Sequence, residues 1–399
     1  MTLSAYIDTL RGKKVAVAGI GISNRPLLDL LVSAGIDVSA RDKNAVDVSA
    51  PRSRFGDGYL DCREEDVVFR SPGIMPRFIE LKPGAVLISE MELFFELCPC
   101  PIIGVTGSDC KTTTTALIAE LLKANGRTVH LGGNIGNPLL TELDAISPND
   151  YAVVELSSFQ LIGMKRSPHI AVITNISPNH LDKHNDYDEY IAAKSNIYLW
   201  QKPGDRLIFG GNIERGSVEP AKLLGEHNKI NFSVAAEAVR GIVSDAAIRR
   251  VAENFSGVEH RLECVRERNG VRYYNASIAS SPSRTIANLR SFEQKVILIA
   301  GGADKGVPFD ELGPVIAERV KTLVLTGPTS QKILDAVYDC GRSAPPHRII
   351  DSFDDAVRCA ASIAKPGDVV LLSPASTSFD AFKNFEERGN RFKQIVMEL

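Results

Sequence analysis

Residues 102–122 read IIGVTGSDCKTTTTALIAELL, and this stretch decides the fold. Its first three residues are typical of the end of a buried strand, a loop of small residues follows, and leucines then recur at helical spacing after Thr112. A strand, a small-residue loop, Lys-Thr and a helix form the layout of a phosphate-binding loop, in which backbone N–H groups and the helix N-terminus receive phosphate oxygens. Lys111 would add a positive charge, and Thr112 could bind Mg²⁺.

The match to the generic phosphate-loop pattern is incomplete. The pattern G-x-x-x-x-G-K-[ST] requires glycine at positions 105 and 110, where this chain has Val105 and Cys110. Glycines stand instead at 104 and 107. A threonine-rich helix start with Lys111 in solvent is therefore the alternative interpretation.

The composition is that of a soluble globular protein. Hydrophobic residues make up 44% and charged residues 24% of the 399 positions, and this length predicts two or three domains. A net charge of −3 gives no basic surface for nucleic acid, and no apolar run approaches the roughly 18 residues that span a membrane. The N-terminus carries charges where a signal peptide is apolar, and the seven cysteines form no paired framework, so we expect a cytoplasmic protein.

The first segment predicts a β-α-β unit of nucleotide-binding type. Residues 13–23 combine a short apolar strand with a glycine turn, a helix is predicted over 24–34, and a second strand follows. Gly19 and Gly21 begin a G-x-G-x-x-G fingerprint, but Asn24 occupies the place of the third glycine. The incomplete fingerprint favours a tight turn over a dinucleotide site.

Strands alternate with helices along the rest of the chain. This order predicts parallel sheets with ligands at the carboxyl ends of the strands. The Cys-Pro-Cys-Pro stretch 98–101 marks the first domain boundary. Residues 260–277 predict an antiparallel hairpin with Asn-Gly at its turn, and buried strands at 296–302, 322–327 and 368–374 predict a further α/β sheet.

One carboxylate, one imidazole and one hydroxyl could hold Mg²⁺ beside bound phosphates, and a lysine is considered with them. Glu155 and His180 follow predicted strands, Thr112 follows the phosphate loop, and Lys194 lies in a helix predicted over 187–200. Taken singly, each has an ordinary alternative, such as a solvated strand end, a loop histidine or a surface lysine. Their placement around one loop favours a joint role.

Longer motifs resemble those of a known family. They follow the family order over nearly the whole chain: GVTGSDCKTTTT (104–115), GGNIGNP (132–138), VVELSSFQL (153–161), NISPNHLDKH (175–184), HRLE (260–263), AGGADKG (300–306) and SPASTSFDAFKNFEERGNRF (373–392). The chain is similar to the ATP-dependent Mur ligases of peptidoglycan synthesis. The motifs ELSSFQL and SFDAFKNFEERG favour the members that add D-glutamate.

The resemblance implies an α/β fold of three domains. A Rossmann-like domain at 1–97 would bind the uridine diphosphate end of the substrate, and a central P-loop ATPase-like parallel sheet at 98–257 would bind ATP and Mg²⁺. A Rossmann-like C-terminal domain at 258–399, with a leading hairpin, would bind D-glutamate. The implied reaction adds D-glutamate to UDP-N-acetylmuramoyl-L-alanine through an acyl phosphate and releases ADP and phosphate. We expect a cytoplasmic monomer that binds neither nucleic acid nor membrane.

The resemblance also implies roles for individual residues. Catalysis would rest on Lys111, His180 and Lys194. The ATP-binding set is Gly104, Gly107, Ser108, Asp109, Cys110, Lys111, Thr112, Thr113, Asn228, Asn231 and Arg261. One or two Mg²⁺ ions would be held by Thr112, Glu155, His180 and Lys194, the last as a carbamate. The uridine diphosphate substrate would contact Gly21, Ile22, Ser23, Asp42, Ser71, Asn134 and Gly136. D-glutamate would contact Lys305, Ser378 and Phe385.

Some positions depart from the family pattern. Cys110 replaces a glycine whose backbone may take positive φ, which would cost a residue with a Cβ roughly 1 kcal/mol or more. Ala276 replaces an acidic residue expected on the nucleotide side, whereas Asn179 and Ile278 are interpreted as tolerable variants. The segment from Lys194 to Asn228 is shorter than the family norm and predicts the loss of peripheral elements.

Two other functions stay open at this point. The departures suggest a Mur-fold homologue with weak or lost catalysis that acts as a binding or regulatory protein. The chain could also be a ligase with another substrate, such as a folylpolyglutamate synthase or a Mur ligase that adds another amino acid. The retained Lys111, Glu155 and His180 argue against the first, and SFDAFKNFEERG argues against the second.

Overall fold

The computed structural model describes residues 1–178, 180, 183–223 and 225–399. The chain divides into two compact units, each of which is α/β. The first unit comprises Met1–Glu219 and Lys229–Ala252, and the second comprises Pro220–Asn228 and Glu253–Leu399.

The first unit contains two five-stranded parallel sheets. The earlier sheet has the order β3-β2-β1-β5-β7, and the short strands β4 and β6 pair separately. Its central strand β1 is buried throughout, and the predicted β-α-β unit is confirmed. The elements are α1 (Leu3–Asp8), β1 (Val15–Ala18), α2 (Arg25–Ser33), β2 (Val38–Asp42), β3 (Arg52–Phe55), β4 (Asp61–Cys62), β5 (Val67–Arg70), β6 (Glu80–Leu81), β7 (Val86–Ser89) and α3 (Glu90–Leu97).

The later sheet of the first unit has the order β12-β11-β8-β10-β9. Its central strand β8 is buried at every residue, and α4 follows after a four-residue loop, as the opening stretch predicts. The elements are β8 (Ile102–Thr106), α4 (Lys111–Ala124), β9 (Val129–Gly133), β10 (Tyr151–Glu155), α5 (Ser158–Leu161), β11 (Ile170–Ile173), α6 (Tyr187–Leu199), β12 (Arg206–Phe209), α7 (Glu226–Ala238) and α8 (Asp245–Asn254). The first three residues of α7 and the last two of α8 are counted in the second unit.

A single hydrophobic core joins the two sheets of the first unit. Phe69 and Leu28 from the earlier sheet and its helix belong to the same buried cluster as Phe94, Leu139 and Val154. Burying side chains of this size contributes about 1.5–3 kcal/mol each. The two sheets are therefore held together by one continuous hydrophobic core, which also fixes the edges at which the carboxyl ends of their strands lie.

The second unit contains a six-stranded sheet in the order β13-β14-β18-β15-β16-β17. Only β13 is antiparallel among these described strands, and the predicted hairpin is confirmed, with Asn269 and Gly270 at φ 51° and 73° in its turn. The elements are β13 (Glu263–Arg268), β14 (Val271–Asn275), α9 (Pro282–Arg290), β15 (Val296–Ala300), α10 (Leu312–Arg319), β16 (Val320–Leu325), α11 (Ser330–Asp339), β17 (His347–Ile349), α12 (Phe353–Ile363), β18 (Val369–Leu372) and α13 (Phe385–Glu398).

Five strands were absent from the sequence prediction: the two-residue strands β4 and β6, and one strand or more in each of the larger sheets. β3, β12 and β17 lie at sheet edges, and most of their residues are exposed or half-buried. Edge strands of this kind lack the apolar run that identifies a central strand. Over the described part of the chain, no helix is long and apolar enough to cross a membrane.

Candidate functional site

Two glycines shape the phosphate loop between β8 and α4. A Cβ on Gly104 would lie 2.8 Å from Pro168 Cγ, so this strand position must stay bare for the chain behind it to pack. Gly107 has φ 150°, and a Cβ there would lie 1.8 Å from Thr174 Oγ1. These contacts explain why the glycines stand at 104 and 107 in this loop.

Cys110 occupies the left-handed region of backbone space, with φ 62° and ψ 0°, directly before α4. The positive φ suggested by the sequence is therefore confirmed. A residue with a Cβ is disfavoured in this region by roughly 1–2 kcal/mol, because Cβ crowds the following carbonyl. The loop keeps a shape suited to glycine while carrying a thiol.

Side chains from neighbouring elements brace the loop. Lys111 Nζ donates to the carbonyls of Gly107 and Ser108, at 3.0 Å each. Ser108 Oγ shares a 2.9 Å hydrogen bond with the hydroxyl of Tyr190 on α6. The Asp109 N–H donates to Asn175 Oδ1 at 2.9 Å. The loop is thus held by α6 and by the segment after β11, as well as by the first residue of α4.

Glu155 ends β10 next to the phosphate loop and is 2% exposed. Its Oε1 accepts a 2.9 Å hydrogen bond from Asn134 Nδ2, whereas its Oε2 is buried with no hydrogen-bond partner among the residues that the structure describes. A buried carboxylate oxygen without a donor is costly unless a cation or another donor meets it. The interpretation of Glu155 as a solvated strand end is wrong, and the geometry suits a cation ligand.

Lys194 lies on α6 and is 1% exposed, so the alternative of a surface lysine is wrong. Its Nζ donates to Gly107 O at 2.7 Å and Thr106 Oγ1 at 3.2 Å. Burial, aided by the charge of Lys111, lowers the pKa of Lys194 to about 7, and Glu155 opposes that shift. The structure therefore brings Lys194, Glu155 and the phosphate loop together.

His180 belongs to a cluster of rings with Phe159, which follows β10, and His184. Its ring meets the edge of Phe159 with centroids 5.2 Å apart, and Phe159 stacks on His184 at 5.2 Å. His184 Nε2 shares a 2.9 Å hydrogen bond with Ser158 Oγ. His180 has φ 55°, and Asn179 lies outside the described residues. Through Phe159, the cluster connects His180 to α5, the short helix that follows Glu155.

Five of the seven residues expected to hold uridine diphosphate lie at the carboxyl edge of the earlier sheet. The Ile20 N–H donates to Asp42 Oδ2 at 2.7 Å, which ties the glycine turn 19–23 to the end of β2. A Cβ on Gly19 would lie 2.6 Å from Ser71 Cβ, so this turn packs directly on the next one. Gly21, Ile22 and Ser23 belong to that turn. Asn134 and Gly136 lie instead after β9, at the edge of the later sheet.

The remaining residues of the predicted nucleotide set lie on other elements. Thr112 and Thr113 occupy the first turn of α4. Asn231 is buried on α7 within the first unit. Asn228 belongs to the second unit, as does Arg261, which precedes β13 and forms an isolated bridge with Val258.

The predicted D-glutamate residues surround the carboxyl edge of the second unit's sheet. Ala303 and Thr377 form an antiparallel bridge that joins the loop of Lys305 to the loop of Ser378. The Ser277 hydroxyl donates to the Phe385 carbonyl at 2.8 Å. Lys305 is exposed and Ser378 is buried.

A buried arginine, unpredicted from sequence, organises these loops. Arg388 donates to the carbonyls of Ser277, Ser376 and Thr377 at 2.9–3.1 Å. Its burial lowers its pKa to about 10. Ala276, beside this network, is fully buried in the core of the unit.

Comparisons with known proteins agree with the folds of the two units. The Mur ligase middle domain matches residues 105–264, and the Mur ligase, glutamate ligase domain matches residues 260–376. A MurC ligase from Thermotoga maritima has a TM-score of 0.58 at 16% identity and covers 97% of this chain and 99% of its own. A MurF ligase from the same organism, solved with ADP, has a TM-score of 0.55 at 18% identity, with 98% and 97% covered. The chain belongs to the Mur ligase family and has its three-domain α/β fold.

Closer relatives narrow the family. A protein of Acetivibrio thermocellus is 46% identical over 99% of this chain and 98% of its own length. Proteins of Ruminiclostridium cellulolyticum and Clostridium kluyveri are 42% and 44% identical, over at least 98% of each chain. All three are named UDP-N-acetylmuramoylalanine–D-glutamate ligase. The first alignment spans 457 positions against 399 residues here, so several dozen positions of that relative have no counterpart in this chain.

Proposed function

We infer that this chain is an ATP-dependent amide ligase that adds D-glutamate to UDP-N-acetylmuramoyl-L-alanine in peptidoglycan precursor synthesis. The relatives of that name match it from end to end. The observation that carries the chemistry is the buried, unpartnered Oε2 of Glu155 beside an intact phosphate loop. A binding protein without catalysis would have no need to keep this costly arrangement.

We propose that Mg²⁺ accompanies ATP at this edge. The described residues contain no cluster of three or more His, Cys, Asp and Glu side chains, and Mg²⁺ in nucleotide sites typically takes one or two carboxylates and completes its shell with phosphates and water. Glu155, Thr112 and His180 would hold one or two ions. Bound there, Mg²⁺ supplies positive charge that draws the phosphates and the substrate carboxylate together.

We propose that Lys194 is carbamylated in the active enzyme. A carbamate forms when a neutral amine attacks CO₂, and the lowered pKa of Lys194 leaves a large neutral fraction near pH 7. The product is an anion within reach of the charges of Lys111 and Asp109, which already act on this amine. It would add an oxygen ligand beside the phosphate loop.

The reaction would proceed in two steps. The L-alanine carboxylate of the substrate attacks the γ-phosphate of ATP, so that ADP leaves and an acyl phosphate forms. The D-glutamate amine then attacks the acyl carbon, a proton leaves the nitrogen, and phosphate departs. Lys111 and the loop N–H groups stabilise the charge that builds on the phosphate oxygens in the first step.

We propose that the three predicted domains, with boundaries at 97/98 and 257/258, divide the substrates among them. The turns at Gly21–Ser23 and Ser71, with Asp42, would hold uridine diphosphate, and Asn134 and Gly136 would contact the muramoyl part. Asn228, Asn231 and Arg261 would contact the nucleotide. Lys305, Ser378 and Phe385 would hold D-glutamate. We further propose a cytoplasmic monomer, which analytical ultracentrifugation of the purified chain can test.

Phosphate release tests the function. We expect release only when ATP, Mg²⁺, UDP-N-acetylmuramoyl-L-alanine and D-glutamate are all present. ATP binding without turnover would favour the alternative of a catalytically weak homologue, to which Cys110 and Ala276 point. Turnover with L-lysine or meso-diaminopimelate in place of D-glutamate would favour a ligase of other specificity.

A further inference from the structure

Arg70 ends β5 and is buried, with 4% exposure, at the junction of the two sheets of the first unit. Its Nη1 donates to Ile74 O at 3.0 Å and to Phe159 O at 3.2 Å, and its Nη2 donates to Ile162 O at 2.9 Å. One guanidinium thus grips the turn after its own strand and both ends of α5. The two gripped segments are about ninety residues apart in sequence.

The guanidinium bonds to main-chain carbonyls, and the one carboxylate that acts on its pKa, Glu92, does so through charge alone. Burial lowers the pKa of Arg70 to about 10, so the side chain stays protonated at neutral pH. A buried cation is costly unless well-placed acceptors surround it. An apolar side chain of similar size could fill the same space without burying a charge. What the arginine adds is a fixed position for the three carbonyls that accept its hydrogen bonds.

Both gripped segments lead to the site. The turn at 71–74 follows β5, includes Ser71, which is proposed to hold uridine diphosphate, and packs on Gly19 of the glycine turn. On the other side, α5 begins three residues after Glu155, and the ring of Phe159 meets the ring of His180. Arg70 therefore connects the proposed substrate-binding edge of one sheet to the proposed metal-binding edge of the other, through its hydrogen bonds to Ile74 on one side and to Phe159 and Ile162 on the other.

We propose that Arg70 is a positioning residue for the ligase reaction. It fixes the distance between the uridine diphosphate turn and the edge that carries Glu155 and His180, and so places the substrate carboxylate against the γ-phosphate. This role rests on the proposed function. Reacting groups lose much of their rate when displaced by about 1 Å, even by changes far from the chemistry.

Arg70→Lys tests the role, with Arg206→Lys as a matched control. Arg206 also donates to two main-chain carbonyls, those of Arg240 and Glu237, but at the amino end of β12. We expect Arg70→Lys to lower kcat by about tenfold or more, while the Kd for UDP alone, measured by calorimetry, stays within about twofold of wild type. Arg206→Lys should change kcat by less than about twofold, with melting temperatures recorded for both variants.

A purely structural role predicts a different result. Arg70→Lys would then lower the melting temperature but leave kcat per folded molecule equal to that of Arg206→Lys, and this outcome would overturn the proposal. If Arg70→Lys does not fold, Phe159→Leu provides the test, because it keeps the main-chain acceptor and removes the ring on His180. A kcat equal to wild type in Phe159→Leu would overturn the proposal as well.

If the proposed function itself is wrong, the wild-type protein will release no phosphate with D-glutamate, and this result is independent of the Arg70 variants. The role of Arg70 in connecting the two edges is then tested by measuring how one ligand changes the affinity for the other. UDP-N-acetylmuramoyl-L-alanine should change the affinity for Mg·ADP in wild type and in Arg206→Lys, and the change should be lost in Arg70→Lys. Equal coupling in all three proteins would overturn the proposal.

Discussion

The two carboxyl edges of the first unit differ in how they treat their polar groups. At the earlier sheet, the Asp42 carboxylate accepts from the Ile20 N–H, and the buried Asn24 side chain donates to the Gly19 carbonyl, although its neutral Oδ1 has no hydrogen-bond partner among the described residues. At the later sheet, Glu155 keeps an unpartnered oxygen and Cys110 keeps a left-handed backbone. An edge whose carboxylate is paired suits binding of a fixed group, whereas an unpaired carboxylate and a strained backbone are typical of the place where chemistry occurs. The comparison assigns binding to one edge and reaction to the other.

The largest expected effect is at Glu155. Glu155→Gln removes the charge that would meet a cation and keeps the acceptor for Asn134, so we expect kcat to fall by about 100-fold or more. The free energy of unfolding should fall by no more than about 1 kcal/mol, because the lost group had no partner. Glu120→Gln, at an ion pair with Lys123 on the surface of α4, is the control and should leave kcat unchanged. If Glu155→Gln lost much stability but kept a normal kcat, the later edge would not be the place of reaction.

The buried amine of Lys194 gives a pH-dependent prediction. Its pKa of about 7 in the folded chain lies below the ordinary 10.5, so between these values the unfolded chain binds a proton that the folded chain lacks, and stability rises with pH across that window. Lys194→Met should remove this slope and be more stable than wild type by a few kcal/mol below about pH 7. The difference should disappear near pH 10.

Urea unfolding in CO₂-free buffer at several pH values within that window checks the Lys194 prediction. The exposed Lys123→Met is the control and should keep the wild-type slope. Equal slopes in wild type and Lys194→Met would show that Lys194 does not carry a depressed pKa.

The binding edge should respond differently to a similar change. Asp42→Asn weakens the tie to the Ile20 N–H, so we expect the KM for the uridine diphosphate substrate to rise by about three- to tenfold while kcat stays within about twofold. Asp29→Asn, on the surface of α2, is the control. A kcat loss as large as that of Glu155→Gln would mean that both edges take part in the reaction.

Cys110 gives the smallest expected effect. Cys110→Gly should relieve the left-handed strain, raise the free energy of unfolding by about 1 kcal/mol and lower the KM for ATP. Asn269→Gly, at the hairpin turn with φ 51°, is the control and should change both quantities little, because asparagine tolerates this region. An unchanged KM for ATP in Cys110→Gly would show that the loop accepts the thiol without loss.

The sequence was sufficient where local pattern sets the structure. The phosphate loop, the Asn-Gly hairpin and the buried central strands follow from glycine placement and apolar runs, and the motifs identified the family. Arg70 and Arg388 were not predictable, because their partners are carbonyls far along the chain, and any residue type supplies a carbonyl. Asn24 was recognised only as a missing glycine, although its side chain braces the turn. The roles of the predicted site residues toward their ligands stay predictions.

The packing behind the phosphate loop limits how the loop can drift during evolution. At Gly104 and Gly107 any side chain would collide with Pro168 or Thr174, so these positions are closed unless a neighbour changes in the same step. At position 110 the cost is conformational and modest, and the chain has accepted cysteine there. A saturation library over positions 104, 107, 110 and 174 should therefore accept many residues at 110, none other than glycine at 104, and changes at 107 only together with a change at 174.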